Sequence, residues 1–226
     1  MRTTSHPDFS DSIIIETGPN PQACIIWLHG LGASNDDFVP IIEQLALPKN
    51  LPLRFIFPQA PTRPVTLNNN ISMPAWFDIY SLDRDLKHDH EGIEASERGI
   101  DQLIQTQLKQ FDSKKILIAG FSQGGAMCLF SALRYPKPLG GILALSTYFP
   151  YNEKEIAKFS HANKNIPIFM AHGEFDEVLS LKMGEETREH LVKQGYAVEW
   201  HQYPMAHSVC AEEVVDIAKF IVKTLK

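Results

Sequence analysis

Apolar, β-rich runs alternate with segments of helical periodicity along nearly the whole chain, and turn residues bound each run. Some runs, such as Ile116-Leu117-Ile118-Ala119, are apolar at every position, which is typical of strands buried on both faces. Strands that alternate with helices predict an α/β fold with a mostly parallel central sheet and helices on both faces. The predicted strands are Ser12–Glu16, Ala23–His29, Leu53–Phe57, Lys115–Ala119, Leu139–Leu145, Ile166–Ala171 and Ala197–Tyr203. The predicted helices are approximately Asn35–Leu47, Glu91–Phe111, Gln123–Tyr135, Leu181–Gln194 and Ala211–Leu225.

A single domain over residues 1–226 accounts for this pattern, with residues 1–11 as a polar N-terminal extension. The chain is 44% hydrophobic, enough for one sizeable core, and no repeat or linker divides it. Pro58–Asp78 is one long irregular stretch, rich in Pro and Asn. Loops of that length in a compact domain are usually functional or mobile, so we expect this loop to take part in function.

The charge distribution argues against two classes of partner. The formal net charge is −6, and no basic run is longer than Lys114–Lys115, whereas nucleic acids and anionic membranes are bound through clustered Lys and Arg. The N-terminal residues lack the apolar core of a signal peptide, and no stretch approaches the roughly 20 apolar residues that span a bilayer. Cys24, Cys128 and Cys210 are too few and too separated for a disulfide framework. We therefore expect a cytoplasmic protein with reduced thiols and, at most, transient contact with a membrane surface.

Gly120-Phe121-Ser122-Gln123-Gly124 matches the G-x-S-x-G pattern of a nucleophile elbow. The pattern alone is weak, but here it directly follows a predicted strand and opens a predicted helix, the context that the elbow requires. Its glycines and Gly125 supply positions without a Cβ around a strained turn. The alternative is a tight glycine turn with an N-capping serine. The context favours Ser122 as the nucleophile.

A catalytic serine needs a base, and the base needs an orienting acid. In folds that carry a nucleophile elbow, these residues follow the chain order Ser, acid, His. His207 lies between the last predicted strand and the C-terminal helix, where the base is expected. Asp176 lies in the loop after the strand Ile166–Ala171, but Glu174 and Glu177 flank it, and spacing does not choose among the three acids. The other candidate histidines fit structural roles better: His29, His172 and His201.

His29-Gly30-Leu31-Gly32 follows a predicted strand and precedes a predicted helix, so its glycines let backbone N–H groups turn toward a site. We expect an oxyanion hole built from the N–H groups of Leu31 and Gln123. A plain βα turn is the alternative.

The loop Pro58–Asp78 carries apolar side chains that predict an apolar groove: Leu67, Ile71, Met73, Trp76 and Phe77. For Trp76 and Phe77 an alternative is that they only pin the loop to the core. His88-Asp89-His90 suggests a metal site, but it opens a charged segment without strand support, and we interpret it as solvated. No metal or organic cofactor is expected.

Five ordered motifs together resemble the acyl-protein thioesterase and small carboxylesterase family of α/β-hydrolases, which includes enzymes described as lysophospholipases. The resemblance covers about residues 13–222. It implies an α/β-hydrolase fold without a cap domain, a triad of Ser122, Asp176 and His207, the oxyanion donors Leu31 and Gln123, and a homodimer. The motifs are His29-Gly30-Leu31-Gly32, Phe57-Pro58-Gln59-Ala60-Pro61, Pro74-Ala75-Trp76-Phe77-Asp78, Gly120–Gly125 and His172-Gly173-Glu174-Phe175-Asp176.

Two positions depart from the family pattern. The family often has an acidic residue directly after its glycine-rich loop, whereas this chain has Ala33. The acid loop usually continues Val-Val-Pro, whereas here it reads Val178-Leu179-Ser180, in which Ser180 is able to cap the next helix in place of proline. We expect both changes to alter the rim of the pocket, which includes Val178, and to spare the chemistry.

These features predict a serine hydrolase that cleaves esters or thioesters of apolar acyl groups through an acyl-enzyme. Oxygen esters, S-acylated proteins and lysophospholipids all present an acyl carbonyl to the same groups, and the fold does not choose among them. Two alternatives remain from the residues: a non-catalytic binding protein on this fold, and a hydrolase of another class, such as a peptidase.

Overall fold

A seven-stranded sheet forms the centre of the molecule in this computed structural model, which describes residues 9–81, 89–149 and 156–226. Its strands are β1 Ile13–Glu16, β2 Ala23–Leu28, β3 Leu53–Phe57, β6 Ile116–Phe121, β7 Gly141–Leu145, β8 Ile168–Gly173 and β9 Val198–Tyr203. Their spatial order is β1-β3-β2-β6-β7-β8-β9, and only β1 runs antiparallel to its neighbour. Seven strands were expected at these places, and the mostly parallel sheet confirms the predicted fold class.

Apolar residues on the two faces of the sheet enter two separate cores. In β2, which is fully buried, Cys24 and Ile26 face one core while Ile25 and Trp27 face the other. This alternation is the period of two that side chains follow along a strand. Because helices cover both cores, the inner strands are apolar at every position, as the sequence pattern indicated.

The longer helices agree with the predicted ones to within a few residues, with one exception. The α-helices whose bounds lie within the described residues are α1 Ile41–Gln44, α2 His90–Gln107, α3 Gln123–Arg134, α4 Leu181–Lys193 and α5 Ala211–Leu225. The predicted helix Asn35–Leu47 is wrong for most of its length, since only α1 is helical and the residues before it form successive turns. Pro40 has no N–H to continue a helical ladder and stands immediately before α1.

The stretch Pro58–Asp78, expected to be irregular, contains a β-hairpin. Its strands are β4 Thr62–Val65 and β5 Ile71–Pro74, which pair antiparallel and are joined through a 3₁₀ turn at Thr66–Asn68. Prolines inside both strands concealed them, because proline is normally excluded from the interior of a sheet. A two-stranded ribbon tolerates them, since each of its strands is an edge.

The sheet places two loops at a single point. From β2 the chain continues to β3 on one side, and it later enters β6 on the other side of β2. Leu28 at the end of β2 pairs with Gly120 near the end of β6. Ligand sites in α/β sheets form outside the carboxyl ends of strands where the order reverses in this way, so the loops after β2 and β6 are the expected location of a site.

Candidate active site

Ser122 occupies a strained turn between β6 and α3. Its backbone angles, φ 55° and ψ −121°, lie where residues with a side chain are rarely found. Its N–H donates to the Leu145 carbonyl at 2.9 Å, and its carbonyl accepts from the Thr147 hydroxyl at 2.7 Å. The neighbouring strand β7 therefore holds the turn, and the Thr147 contact had no recognisable signal in the sequence.

Glycines are required on both sides of this turn because backbone passes very close to it. A Cβ at Gly120 would lie 2.3 Å from the Gly124 carbonyl oxygen, and a Cβ at Gly124 would lie 2.3 Å from the Leu28 carbonyl oxygen. Real Cβ atoms do not approach other atoms so closely. The glycines of the motif thus allow α3 to start directly beneath Ser122 and against the end of β2.

Asp176 and His207 are hydrogen-bonded to each other through a buried carboxylate. His207 Nδ1 lies 2.6 Å from Asp176 Oδ2, and the Asp176 side chain has no exposed surface. The second oxygen, Oδ1, accepts from the backbone N–H groups of Val178 at 2.9 Å and Leu179 at 2.8 Å. Glu174 and Glu177, the competing acids, are both exposed. The structure therefore selects Asp176 as the partner of His207.

The loops that carry this acid and this histidine are joined by their backbones. The N–H of Glu174 donates to the Tyr203 carbonyl at 2.9 Å, and the N–H of Phe175 donates to the Met205 carbonyl at 3.0 Å. The His207 ring packs against the ring of Phe121, the residue before Ser122, with 4.7 Å between centroids. The Ser122 hydroxyl makes no hydrogen bond with any residue that the structure describes. Catalytic hydrogen bonds are often unformed without substrate.

The other three candidate histidines are held in structural positions. His29 Nδ1 donates to the Gly30 carbonyl at 2.8 Å and Nε2 accepts from the Ala60 N–H at 3.0 Å, and burial lowers its pKa. His172 is buried beside Asp176, donates from Nε2 to the Leu179 carbonyl at 2.8 Å, and has its pKa lowered by burial. His201 stacks on Phe169 in the sheet. Neutral His29 and His172 therefore brace the two loops of the site.

Leu31 and Gln123, the predicted oxyanion donors, lie on the loops after β2 and β6. Gln123 is the first residue of α3, and the first amides of a helix have no partner within it. The Leu31 N–H donates to no residue that the structure describes, whereas the next amide, of Gly32, donates to the Pro74 carbonyl at 2.8 Å. The hairpin thus holds the glycine-rich loop from one side and leaves the Leu31 amide available.

Trp76 and Phe77 are fully buried, and the side chain of Gln123 holds their backbone. Gln123 Oε1 accepts from the Trp76 N–H at 2.9 Å, and Nε2 donates to the Phe77 carbonyl at 2.7 Å. Trp76 Nε1 donates to the His29 carbonyl at 2.8 Å, and Ser96 donates to the Trp76 carbonyl. This burial is contrary to the groove interpretation of Trp76 and Phe77. We assign both residues to anchoring the loop.

The remaining predicted groove residues stay accessible. Leu67, Ile71 and Val178 are exposed by 39%, 60% and 53%, and Met73 is half-buried with its sulfur facing Gly32 of the glycine-rich loop. Phe175, which the sequence analysis did not select, is 64% exposed in the acid loop. An apolar residue directly before Asp176 is the signal that would have identified it.

The segment interpreted as solvated is instead structural where it is described. His88 lies outside the described residues. Asp89 caps α2 by accepting from the Gly92 N–H at 2.9 Å, accepts from the Asp78 N–H at 2.9 Å, and lies 3.7 Å from Arg63 of the hairpin. Within the described ranges, no group of three or more His, Cys, Asp or Glu side chains is arranged to hold a metal. No helix in those ranges is long and apolar enough to cross a bilayer.

A family model described as Phospholipase/Carboxylesterase matches residues 10–225. The chain belongs to this family. Acyl-protein thioesterase 1 of Mycosarcoma maydis is 37% identical to it over 226 aligned residues, covering 92% of this chain and 94% of that protein. Acyl-protein thioesterase 1 of Neurospora crassa is 39% identical, covering 90% of this chain and 87% of that protein. The crystal structure of Arabidopsis thaliana SOBER1 superposes with a TM-score of 0.86 at 31% identity, covering 91% of this chain and all of that chain.

Membership of the phospholipase/carboxylesterase family makes the chain an ester hydrolase. The resemblance based on five motifs and the α/β-hydrolase fold are both confirmed. The non-catalytic alternative is no longer needed.

Proposed function

We propose that this chain is a serine thioesterase and esterase that removes apolar acyl groups, with S-acylated proteins as its principal substrates. The observation that carries the proposal is the 2.6 Å hydrogen bond between His207 and the buried Asp176, next to the strained turn at Ser122. A buried carboxylate bonded to Nδ1 leaves Nε2 as the nitrogen that exchanges protons with the nucleophile and the leaving group.

The reaction would proceed in two steps. His207 Nε2 accepts the Ser122 proton as Oγ attacks the acyl carbonyl, while Asp176 stabilises the imidazolium. The N–H groups of Leu31 and Gln123 would bind the oxyanion, each contributing about 10²–10³ in rate. The imidazolium then protonates the departing thiolate or alkoxide, and water activated by His207 releases the acyl group from Ser122.

The acyl chain would lie along the exposed apolar side chains of the hairpin and the acid loop. Leu67, Ile71 and Met73 come from the hairpin and Val178 from the acid loop, and three of these four are largely open to solvent without substrate. Each acyl methylene buried against them would contribute about 0.8 kcal/mol. The preference for S-acyl proteins comes from the names of the fungal relatives.

The test is hydrolysis of p-nitrophenyl esters from acetate to palmitate and of S-octanoyl cysteine peptides, by the wild type and by Ser122→Ala. We expect both activities to fall by about 10⁶ in the variant, and an organophosphonate to label Ser122 in the wild type only. Equal activity in the two proteins would remove Ser122 from the mechanism. Cleavage of acetate esters alone would remove the acyl groove, and faster cleavage of a matched peptide amide would favour a peptidase.

A cytoplasmic location and a homodimer remain predictions. The exposed Leu67 and Ile71 favour association through the hairpin, since burying them would remove apolar surface from water. Sedimentation of the wild type and of Ile71→Asp would test the dimer, with a purely monomeric wild type contradicting it.

A further inference from the structure

A cleft whose walls lie outside the hairpin borders His207. It is a cleft of about 320 Å³ whose walls come from residues 37–44, from Phe121 and from residues 207–209, and none of them belongs to β4 or β5. Ile41 and Phe38 are among its apolar walls, and Phe38 packs against Phe121 with 5.5 Å between ring centroids. The proposed acyl surface leaves this cleft without an occupant.

The proposed reaction requires a place for the leaving group next to His207. Because the imidazolium transfers its proton to the departing sulfur or oxygen, the leaving group has to lie within hydrogen-bond distance of His207. The acyl chain extends from the other side of the carbonyl carbon, and the proposed function places this chain along the hairpin. The cleft borders His207 and Phe121, the residue before the nucleophile, and is therefore placed to take the leaving group.

The charge around the cleft has one sign. Asp37 lines it with an exposed carboxylate that forms no ion pair or hydrogen bond with any described residue. Residues 31–47 and 204–216, which supply most of the walls, contain neither Lys nor Arg, and their exposed acidic residues are Asp36, Asp37, Glu43 and Glu212. A positively charged leaving group therefore suits this cleft better than a neutral or an acidic one.

We propose that the cleft binds the polypeptide on the cysteine side of the S-acyl bond, and that Asp37 makes the enzyme favour a positively charged residue next to the acylated cysteine. This inference rests on the proposed function, because it assigns the leaving-group side of the same reaction. In this assignment Asp37 is a specificity residue, which touches the leaving group and takes no part in proton transfer.

The test uses three S-octanoyl peptides with acetylated N-termini that differ only in the residue after cysteine, which is Arg, Gln or Glu. kcat/KM is measured for the wild type, Asp37→Asn and Glu43→Gln. Glu43 is exposed on α1 but does not line the cleft, so its variant removes the same charge from the same neighbourhood. Intrinsic differences in thioester reactivity cancel when the Arg-to-Glu ratio is compared between proteins.

We expect the Arg-to-Glu ratio to exceed one in the wild type and to fall about 3- to 5-fold in Asp37→Asn, the size typical of an exposed ion pair. The fall should shrink at about 0.3 M salt, where exposed charges are screened. An unchanged ratio, or an equal fall in Glu43→Gln, would overturn the assignment while leaving the thioesterase intact. Failure of the wild type to cleave even the Gln peptide would overturn the thioesterase proposal, and this inference with it.

Discussion

The nucleophile turn and the hairpin lie side by side but are built in opposite ways. At Ser122 both backbone groups are hydrogen-bonded to neighbouring residues, and the adjacent glycines leave no room for a side chain. The end of the hairpin nearest the fold is held by contacts of Arg63 and of the Asp78 N–H with Asp89. Leu67 and Ile71, near the hairpin turn, project into solvent. The hairpin backbone is also held at Thr66 and Leu67, which donate to Asp78 and Ile79, so the two regions differ in their side chains: those around Ser122 are packed, and those near the hairpin turn are exposed.

This difference separates chemistry from selection. Catalytic groups have to be held within a fraction of an ångström, which packed strands and a helix terminus provide. A surface that accepts flexible acyl chains needs apolar area more than fixed geometry, and the exposed side chains of the ribbon can vary while its backbone keeps its hydrogen bond to the glycine-rich loop. Substitutions should therefore have large effects on rate or stability near the turn and its supports, and small effects on chain-length preference at the hairpin.

The largest effect is expected for Asp176→Asn. An amide in this position no longer fixes the His207 tautomer that takes the Ser122 proton, so kcat on p-nitrophenyl octanoate should fall by about 10⁴ with the fold retained. Glu177→Gln removes the charge of the adjacent exposed acid and should leave kcat within about 2-fold, as expected for a surface change away from the reacting groups. Comparable losses in the two variants, with normal circular dichroism, would contradict the roles assigned to these carboxylates.

The acid itself shows how far sequence reasoning reaches. Chain order placed the acid in the loop after β8, but Glu174, Asp176 and Glu177 were equal by spacing. The family resemblance implied Asp176, and the fold gives the physical reason, because the loop turns Asp176 inward onto two backbone amides and turns both glutamates outward. A pattern identifies which loop carries an acid, and the three-dimensional path of that loop decides which side chain is buried.

The hairpin and the segment before α1 were missed for related reasons. Pro40 lies in the turns before α1, and Pro64 and Pro74 lie in the hairpin strands; rules based on local sequence treat proline as a break in regular structure. The hairpin depends on the pairing of β4 with β5 and on the contact of Asp78 with Asp89 at the start of α2, and neither interaction is visible in the sequence. Trp76 illustrates the same limit, since an aromatic residue in a loop is equally consistent with a groove wall or an anchor. Its contacts with His29 and Gln123, which are 47 positions away in each direction, settle the matter.

The second effect concerns the contact that joins the two regions. Gln123→Ala would leave the buried Trp76 N–H and Phe77 carbonyl without partners, each at about 1–3 kcal/mol, so we expect the free energy of unfolding to fall by about 3 kcal/mol. Denaturant unfolding measures it, and Gln102→Ala on the exposed side of α2 is the control. Equal stability of both variants would show that the hairpin is held without Gln123.

The third effect is a pH dependence of the free energy of unfolding. It comes from Glu213, near the start of α5 and six residues after His207. Burial raises the pKa of Glu213 to about 8 from 4.5, and neither of its oxygens has a hydrogen-bond partner among the described residues. Between these two pH values the folded chain keeps a proton that the unfolded chain releases. The free energy of unfolding therefore falls as pH rises, by at most about 1.4 kcal/mol per pH unit from this group.

Glu213→Gln should flatten that slope, whereas Glu212→Gln, its exposed neighbour, should preserve it. The slope is obtained from urea unfolding at intervals between pH 5 and pH 8. Burial also raises the pKa of Glu97, to about 7, so a smaller slope of the same sign should persist in Glu213→Gln. Parallel curves for the wild type and Glu213→Gln would show that this carboxyl is not neutral in the folded protein.

The smallest effect is expected at the hairpin, where Ile71→Ser removes one exposed apolar side chain from the proposed acyl surface. The matched change is Ile14→Ser in β1, since the two isoleucines are exposed by 60% and 56% and only Ile71 belongs to the hairpin. Losing a contact worth about one buried methylene, ~0.8 kcal/mol, should lower kcat/KM for octanoate about 4-fold and leave acetate unchanged. The decisive quantity is the octanoate-to-acetate ratio, because a change in folding would lower both rates together. A ratio that changes equally in the two variants would mean that the hairpin gives no more chain-length selection than any other apolar surface, and the contrast between a fixed turn and a selective ribbon would not hold.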